Sequence, residues 1–161
     1  MSDALSRARA AVQSATVWDG DRLATLKWWA EPAVLSSLGA GLRALFRDAA
    51  PTWVVGVQSS GYLLAPLVAV EAGVGMLGVQ KLPEPDGTIR LATAPDALAP
   101  GDSVLLVDDV VESGAQAAAV RSMLERAGGR WLGVAAMITY GERPDLGVRA
   151  LFDIEQLRCV T

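Results

Sequence analysis

The sequence predicts an α/β fold: a mostly parallel, twisted sheet flanked by helices. Three observations predict it. Short apolar runs alternate with helix-length stretches through the centre of the chain, the order that builds strand–helix–strand units. The runs Trp53–Val57, Val74–Val79, Val104–Val107 and Trp131–Ile138 are continuous rather than alternating, as in strands covered on both faces. Two of them end in polar, glycine-bearing segments, Gln58–Gly61 and Asp108–Gln116. In a parallel sheet those are the loops at the carboxyl ends of strands, where ligands bind.

Taken in order, Ser2 to Val12 is a short first helix. Pro32 opens a stronger one, with Val34, Leu35, Leu38, Leu42, Leu45 and Phe46 at helical spacing and Arg43, Arg47 and Asp48 off that stripe. Proline suits the first helical position because its missing N–H would have had no partner there. Trp53–Val57 is a strand, Gln58–Gly61 its turn, Tyr62 to Ala72 a helix and Val74 to Val79 the next strand. Residues 81–101 hold four prolines and the Asp86–Gly87 pair. They read as a hairpin or flap with Thr88–Leu91 as the returning strand. Val104–Val107 is a buried strand. The helix from about Gly114 to Ala127 carries Ala117, Val120, Leu124 and Ala127 on one face and the Arg121–Glu125 pair on the other, and Gly128–Gly129 ends it. Trp131 to Ile138 and Leu151 to Ile154 are the last strands.

Composition bounds the function. The chain has 161 residues, of which 14 are basic and 18 acidic, for a formal charge of −4. That balance argues against a nucleic-acid partner held by a basic surface. Histidine is absent, which excludes Ser–His–Asp and Cys–His catalysis and His-ligated zinc. Cys159 is the single cysteine, so no intrachain disulfide forms and a reducing, cytoplasmic compartment is expected. The N-terminus lacks the pattern of a signal peptide. The most apolar stretch, Tyr62 to Val70, contains Pro66 and is about half the ~20 residues that cross a bilayer, so no membrane partner is expected.

Two glycine patterns do not carry the chemistry their letters suggest. Gly73–Gly78 matches GxGxxG, yet it follows a helix and runs into a strand. A dinucleotide fingerprint needs the reverse, because the pyrophosphate rests on a helix N-terminus. Gly56–Gly61 has Walker spacing but continues into Tyr62 and Leu63 rather than Lys and Ser/Thr. Ser59 and Ser60 have no histidine to activate them.

The segment Val104-Leu105-Leu106-Val107-Asp108-Asp109-Val110-Val111-Glu112-Ser113-Gly114-Ala115-Gln116 is the informative one. It delivers two carboxylates at a strand end, followed by a small-residue turn that opens a helix. Carboxylates accept from hydroxyls or hold a hydrated divalent cation; backbone N–H groups and the Ser113 hydroxyl at a helix N-terminus suit a phosphate. A ribose 5-phosphate moiety presents both needs. The same residues also serve as a loop cap and a helix start, so the residues by themselves leave both readings open.

This segment resembles the phosphoribosyl-pyrophosphate (PRPP) signature of type I phosphoribosyltransferases, and the likeness looks closest to the adenine phosphoribosyltransferase group. Val54 to Pro66 is similar to that group's second strand, pyrophosphate loop and helix, and Val74 to Leu82 to the following strand; together the likeness covers roughly residues 30 to 140 of a single domain spanning 1–161. The resemblance implies a type I phosphoribosyltransferase-like fold with a reduced hood and flap. It implies that Asp108 and Asp109 hold the ribose hydroxyls and serve catalysis. Glu112, Ser113, Gly114, Ala115 and Gln116 would wrap the 5-phosphate, and Gln58, Ser59, Ser60, Gly61 and Lys81 would face pyrophosphate. It further implies Mg²⁺ carried by PRPP, with Asp108 and Asp109 as its possible protein ligands, a nucleobase or nucleotide partner, and a homodimer.

The chain departs from the family where charge on pyrophosphate should be met. Gln58 and Ser60 stand for an acid and an arginine, Gln80–Lys81 for Arg–Lys, and Ala115–Gln116 for Gly–Thr. Lys81 and Arg90 are left as the cations near the expected site, and the segment from Lys81 to Asp102 is short for a lid. Trp28 and Trp29 offer either a stacking surface for a base or core and dimer contacts. The implied activity is transfer of the 5-phosphoribosyl group from PRPP to a nucleobase, a purine, with release of pyrophosphate. The alternative is a non-catalytic PRPP or nucleotide sensor on the same fold. A receiver-like domain using the acid pair for phosphoryl transfer is the weaker third reading, because no separate phospho-acceptor aspartate stands at a central strand end.

Overall fold

Residues 3–94 and 96–158 are described by the structure, a computed structural model. Cys159 and Ser2 lie outside the described residues. The apolar runs become the strands of a six-stranded sheet: β3 (Trp53–Val57), β4 (Gly75–Pro83), β5 (Ile89–Ala92), β6 (Ser103–Val111), β7 (Arg130–Thr139) and β8 (Val148–Asp153). Their order is β5-β4-β3-β6-β7-β8. All neighbours are parallel except the β4–β5 hairpin, whose return strand falls where Thr88–Leu91 was expected.

Strand alternation divides the core in two. Val54, Leu105, Val107, Ala135 and Met137 face a layer of α1 (Asp3–Ser14), α2 (Pro32–Leu45) and α3 (Gly61–Ala72). Val55, Val57, Leu106, Val134 and Ala136 face α4 (Ala115–Arg126) through Ala117, Val120 and Leu124. Covered on both faces, the central strands have no place for alternating polar residues, which is why they read as unbroken aliphatic runs. From Ala49 to Val70, through β3, its following loop and most of α3, the chain carries no charged residue at all.

Two expectations are corrected, and a further set of elements was not anticipated. The strand expected at 104–107 extends to Val111, because Asp108, Val110 and Val111 continue the ladder with Ala136, Ile138 and Thr139 of β7. Asp108 and Asp109 are therefore strand residues rather than the start of a loop. Ile154 does not close the last strand but opens α5 (Ile154–Arg158). Ahead of α2, a small antiparallel pair, β1 (Trp18–Asp19) and β2 (Arg22–Leu23), and a 3₁₀ turn over Thr25–Ala30 were not anticipated. Trp28 in that turn is fully buried and its indole N–H donates to Thr16 Oγ1 at 3.4 Å, so it belongs to the core and offers no face to a base. Gly73 is the left-handed cap that turns α3 into β4, as its context in the false dinucleotide match requires. Among the described residues no helix is long and apolar enough to cross a membrane.

Candidate functional site

The chain leaves β3 toward one edge of the sheet (β4, β5) and β6 toward the other (β7, β8). Between their carboxyl ends lies the crevice that such a reversal creates. It is deepened by unequal lengths. The pairing of β3 with β6 stops at Gly56↔Val107, whereas β6 runs on beside β7 to Val111. Asp108 to Val111 thus project past β3, with one edge open toward the Gln58–Gly61 loop.

Backbone contact brings that loop close. A Cβ at Gly56 would fall on the Gly61 carbonyl and 2.8 Å from Ala65 Cβ, so the loop folds back on its own strand through the absence of side chains. The Gln58–Ser59 peptide is cis. Gln58 N–H donates to Val79 O at 2.9 Å, and Gln58 Oε1 accepts from Lys81 N–H at 3.2 Å. Ser60 Oγ donates to Asp109 Oδ1 at 2.9 Å. The Gln58–Gly61 loop is therefore joined to the end of β6 by a hydroxyl of the one and a carboxylate of the other.

The two acids face different surroundings. Asp108 is 7% exposed and, among the described residues, is the buried ionisable side chain. Its Oδ1 accepts from Asp109 N–H at 3.0 Å and its Oδ2 from Gln116 Nε2 at 3.1 Å. Burial, reinforced by the neighbouring Asp109 charge, pushes its carboxyl up to about 7, against the pull of the Asp109 N–H and of Lys81. Asp109 is less enclosed; its Oδ1 also accepts from Val110 N–H at 2.9 Å.

Asp108 forms one wall of a pocket of about 180 Å³ closed by Glu112, Ser113, Gly114, Ala115 and Gln116. Gly114 holds φ +78° as the cap of α4, a conformation L side chains rarely adopt, and Ser113 Oγ accepts from Ala115 N–H at 3.3 Å. Loop N–H groups and the first turn of α4 converge here, the arrangement that binds phosphate.

Asp109 faces a second pocket, of about 320 Å³, with Val110, Glu112 and Tyr140 on the sheet side and Asp21, Arg22, Leu23 and Thr25 opposite. The small N-terminal hairpin therefore covers the crevice. Sequence reasoning missed these residues, since two-residue strands give no periodic signal.

The cations also differ from expectation. Lys81 is exposed beside Gln58. Arg90 instead pairs with Glu84 at 2.5 Å within the β4–β5 hairpin. Arg22 in the second pocket and Arg143 against the 112–114 loop bring charge that had not been foreseen.

No family model matches the chain. Among curated proteins, it is 36% identical over 129 residues to an adenine phosphoribosyltransferase of Clavibacter sepedonicus, an alignment covering 70% of this chain and 66% of that protein. It is 31% identical over 156 residues to an adenine phosphoribosyltransferase of Burkholderia pseudomallei, covering 81% of this chain and 82% of the relative. Among solved structures, the adenine phosphoribosyltransferase of Rhodothermus marinus superposes with a TM-score of 0.77 at 25% identity, over 92% of this chain and 99% of the other. The chain thus spans just under two thirds of the first relative and four fifths of the second. Identity and coverage at that level agree with a crevice built from a strand-borne acid pair and a phosphate-type loop, and the chain belongs to the adenine phosphoribosyltransferase family of type I phosphoribosyltransferases.

Proposed function

We propose that the protein transfers the 5-phosphoribosyl group of PRPP to a purine base of the adenine class and releases pyrophosphate. The observation that carries this reading is the junction at Ser60–Asp109, which sets a carboxylate, a phosphate-type pocket and a glycine-bearing loop around one crevice. In the reaction the ribose C1 exchanges a bond to pyrophosphate oxygen for a bond to a ring nitrogen of the base.

The geometry supports the following roles. The loop from Glu112 to Gln116 takes the 5-phosphate through backbone N–H groups, with Asp108 and Asp109 accepting from the ribose hydroxyls at the rim. Gln58, Ser59, Ser60 and Gly61 face the pyrophosphate, toward which Lys81 supplies charge. The base occupies the pocket under the β1–β2 hairpin, beside Tyr140 and Leu23. We read that hairpin as a reduced hood and β4–β5 as a short flap. Fixing both ends of PRPP places C1 for attack, so positioning and relief of charge on the leaving group lower the barrier.

Mg²⁺ fits as a companion of PRPP. Asp108 and Asp109 are hard oxygen donors of the kind it prefers. Among the described residues no three His, Cys, Asp or Glu side chains converge, so the cation would arrive with PRPP, and Asp108 and Asp109 are the residues that would meet it. When bound, the cation offsets negative charge on the departing pyrophosphate. The chain is read as one domain, cytoplasmic and homodimeric.

A second reading rests on a specific observation: the side chains of the Gln58–Gly61 loop are all neutral, which suits a sensor that binds PRPP without transfer. Incubating the protein with Mg²⁺, PRPP and a mixture of purine and pyrimidine bases, with Asp109→Asn as control, and detecting products by mass spectrometry separates the two. A nucleotide formed by the wild type alone supports the transferase. PRPP binding without any nucleotide supports the sensor.

A further inference from the structure

We propose that Arg143 is a positioning residue for the 5-phosphate, holding the 112–114 loop in the form that turns its N–H groups into the pocket; this rests on the phosphoribosyl reading above. Its guanidinium donates three hydrogen bonds to backbone carbonyls. Nη2 reaches Glu112 O at 2.9 Å, Nε reaches Ser113 O at 3.4 Å and Nη1 reaches Glu142 O at 2.8 Å. Two of these carbonyls are consecutive in the phosphate loop.

A trans peptide is planar, with its C=O and N–H pointing in opposite directions. Fixing the Glu112 carbonyl therefore fixes the Ser113 N–H, and fixing the Ser113 carbonyl fixes the Gly114 N–H, each pointing away from the guanidinium. Among the described residues neither N–H has a protein acceptor. Both residues line the 180 Å³ pocket. The loop's donors are thus left for a ligand, while its carbonyls are occupied from behind by one side chain.

Charge points the same way. The ionisable groups lining this pocket are Asp108 and Glu112, an unwelcoming pair for a phosphate. Arg143 makes no ion pair among the described residues, so its positive charge is not offset and lies one peptide thickness behind the loop. A guanidinium suits the place because its rigid planar fork holds donors at fixed spacing toward several carbonyls, whereas an ammonium is a compact point charge on a flexible stem.

The segment that follows the arginine is itself braced. Arg121 Nη1 donates to Asp145 O at 2.8 Å and Trp131 Nε1 to Leu146 O at 2.9 Å. Leu146 is buried, with its Cδ1 2.8 Å from where a Cβ of Gly114 would stand. The segment after β7 is a strut against the apex of the loop.

Titration calorimetry of the whole chain with ribose 5-phosphate and, separately, with Mg²⁺-pyrophosphate tests the assignment in wild type, Arg143→Ala and Arg143→Lys. The alanine variant is expected to bind ribose 5-phosphate at least about tenfold more weakly, the scale of one charge-assisted hydrogen bond lost. Pyrophosphate affinity stays unchanged, the lysine variant falls between, and in turnover KM for PRPP rises while kcat is kept. Wild-type affinity for ribose 5-phosphate in Arg143→Ala overturns the assignment, as does equal weakening of both ligands. Should the alanine variant fail to fold, Arg143→Gln, whose amide still reaches one carbonyl, is compared in its place. A wild-type protein that binds pyrophosphate but no ribose 5-phosphate overturns the phosphoribosyl reading itself.

Discussion

Replacing Asp108 by asparagine removes a charge and leaves the shape. The amide oxygen can still accept from Asp109 N–H, and Gln116 can turn its own amide so that its oxygen accepts from the new NH₂. In the folded protein the Asp108 carboxyl is raised from 3.8 to about 7, mainly by burial. Between those values the folded chain holds a proton there that the unfolded chain has released. Stability is then fully present below the unfolded value and is lost as pH rises through the folded one, at about 1.4 kcal/mol per pH unit. Over the whole interval the loss is at most about 4 kcal/mol. Asp86 and Asp102 shift the opposite way, held down by hydrogen bonds from Thr88 and from Ala99; their contributions disappear only in acid, below about pH 4. The chain has no histidine, and the raised Asp108 value falls between pH 5 and 8. Urea unfolding followed by tryptophan fluorescence at pH 5, 6, 7 and 8 should show the wild type losing about 2 to 3 kcal/mol across that range, while Asp108→Asn stays flat and is the more stable protein at pH 8. A wild type with no slope, or a variant that keeps it, would refute the reasoning.

Two further substitutions test the backbone of the site. Gly114→Val places a branched side chain at φ +78° and 2.8 Å from Leu146 Cδ1; it should cost about 1–3 kcal/mol in urea unfolding and abolish ribose 5-phosphate binding by calorimetry. Gly56→Ala drives a methyl group into the Gly61 carbonyl and should cost about 1–3 kcal/mol. It should also weaken pyrophosphate binding more than ribose 5-phosphate binding, because the displaced atoms belong to the Gln58–Gly61 loop.

The parts of the fold that were legible are those whose environment leaves a local mark. Trp53–Val57 and Val104–Val107 lie between two helical layers, and their unbroken aliphatic character says so. The end of β6 was not legible, since Asp108 and Asp109 interrupt the apolar run although the hydrogen bonds to β7 continue past them. The β1–β2 pair has two residues in each strand, too few for any period. At the site, the acids and the small-residue loop were visible because they are contiguous. Arg143 was not: it lies about thirty residues beyond the loop it holds and acts on backbone carbonyls, which impose no pattern on the intervening sequence. Gln116 illustrates the middle case, a residue named from the loop whose hydrogen bond to Asp108 only the fold could show.

The charge-free stretch from Ala49 to Val70 has a consequence for the chain when it is not folded. Like charges normally keep unfolded molecules apart, and segments without them, rich in branched aliphatic and aromatic residues, adhere to their own copies. Here only Pro51 and Pro66 interrupt such a segment. The residues that form one wall of the crevice are thus also those through which two unfolded chains meet. Folding is first order in chain and that encounter is second order, so refolding yield falls as protein concentration rises, and the segment is out of reach only once β3 is closed between β4 and β6.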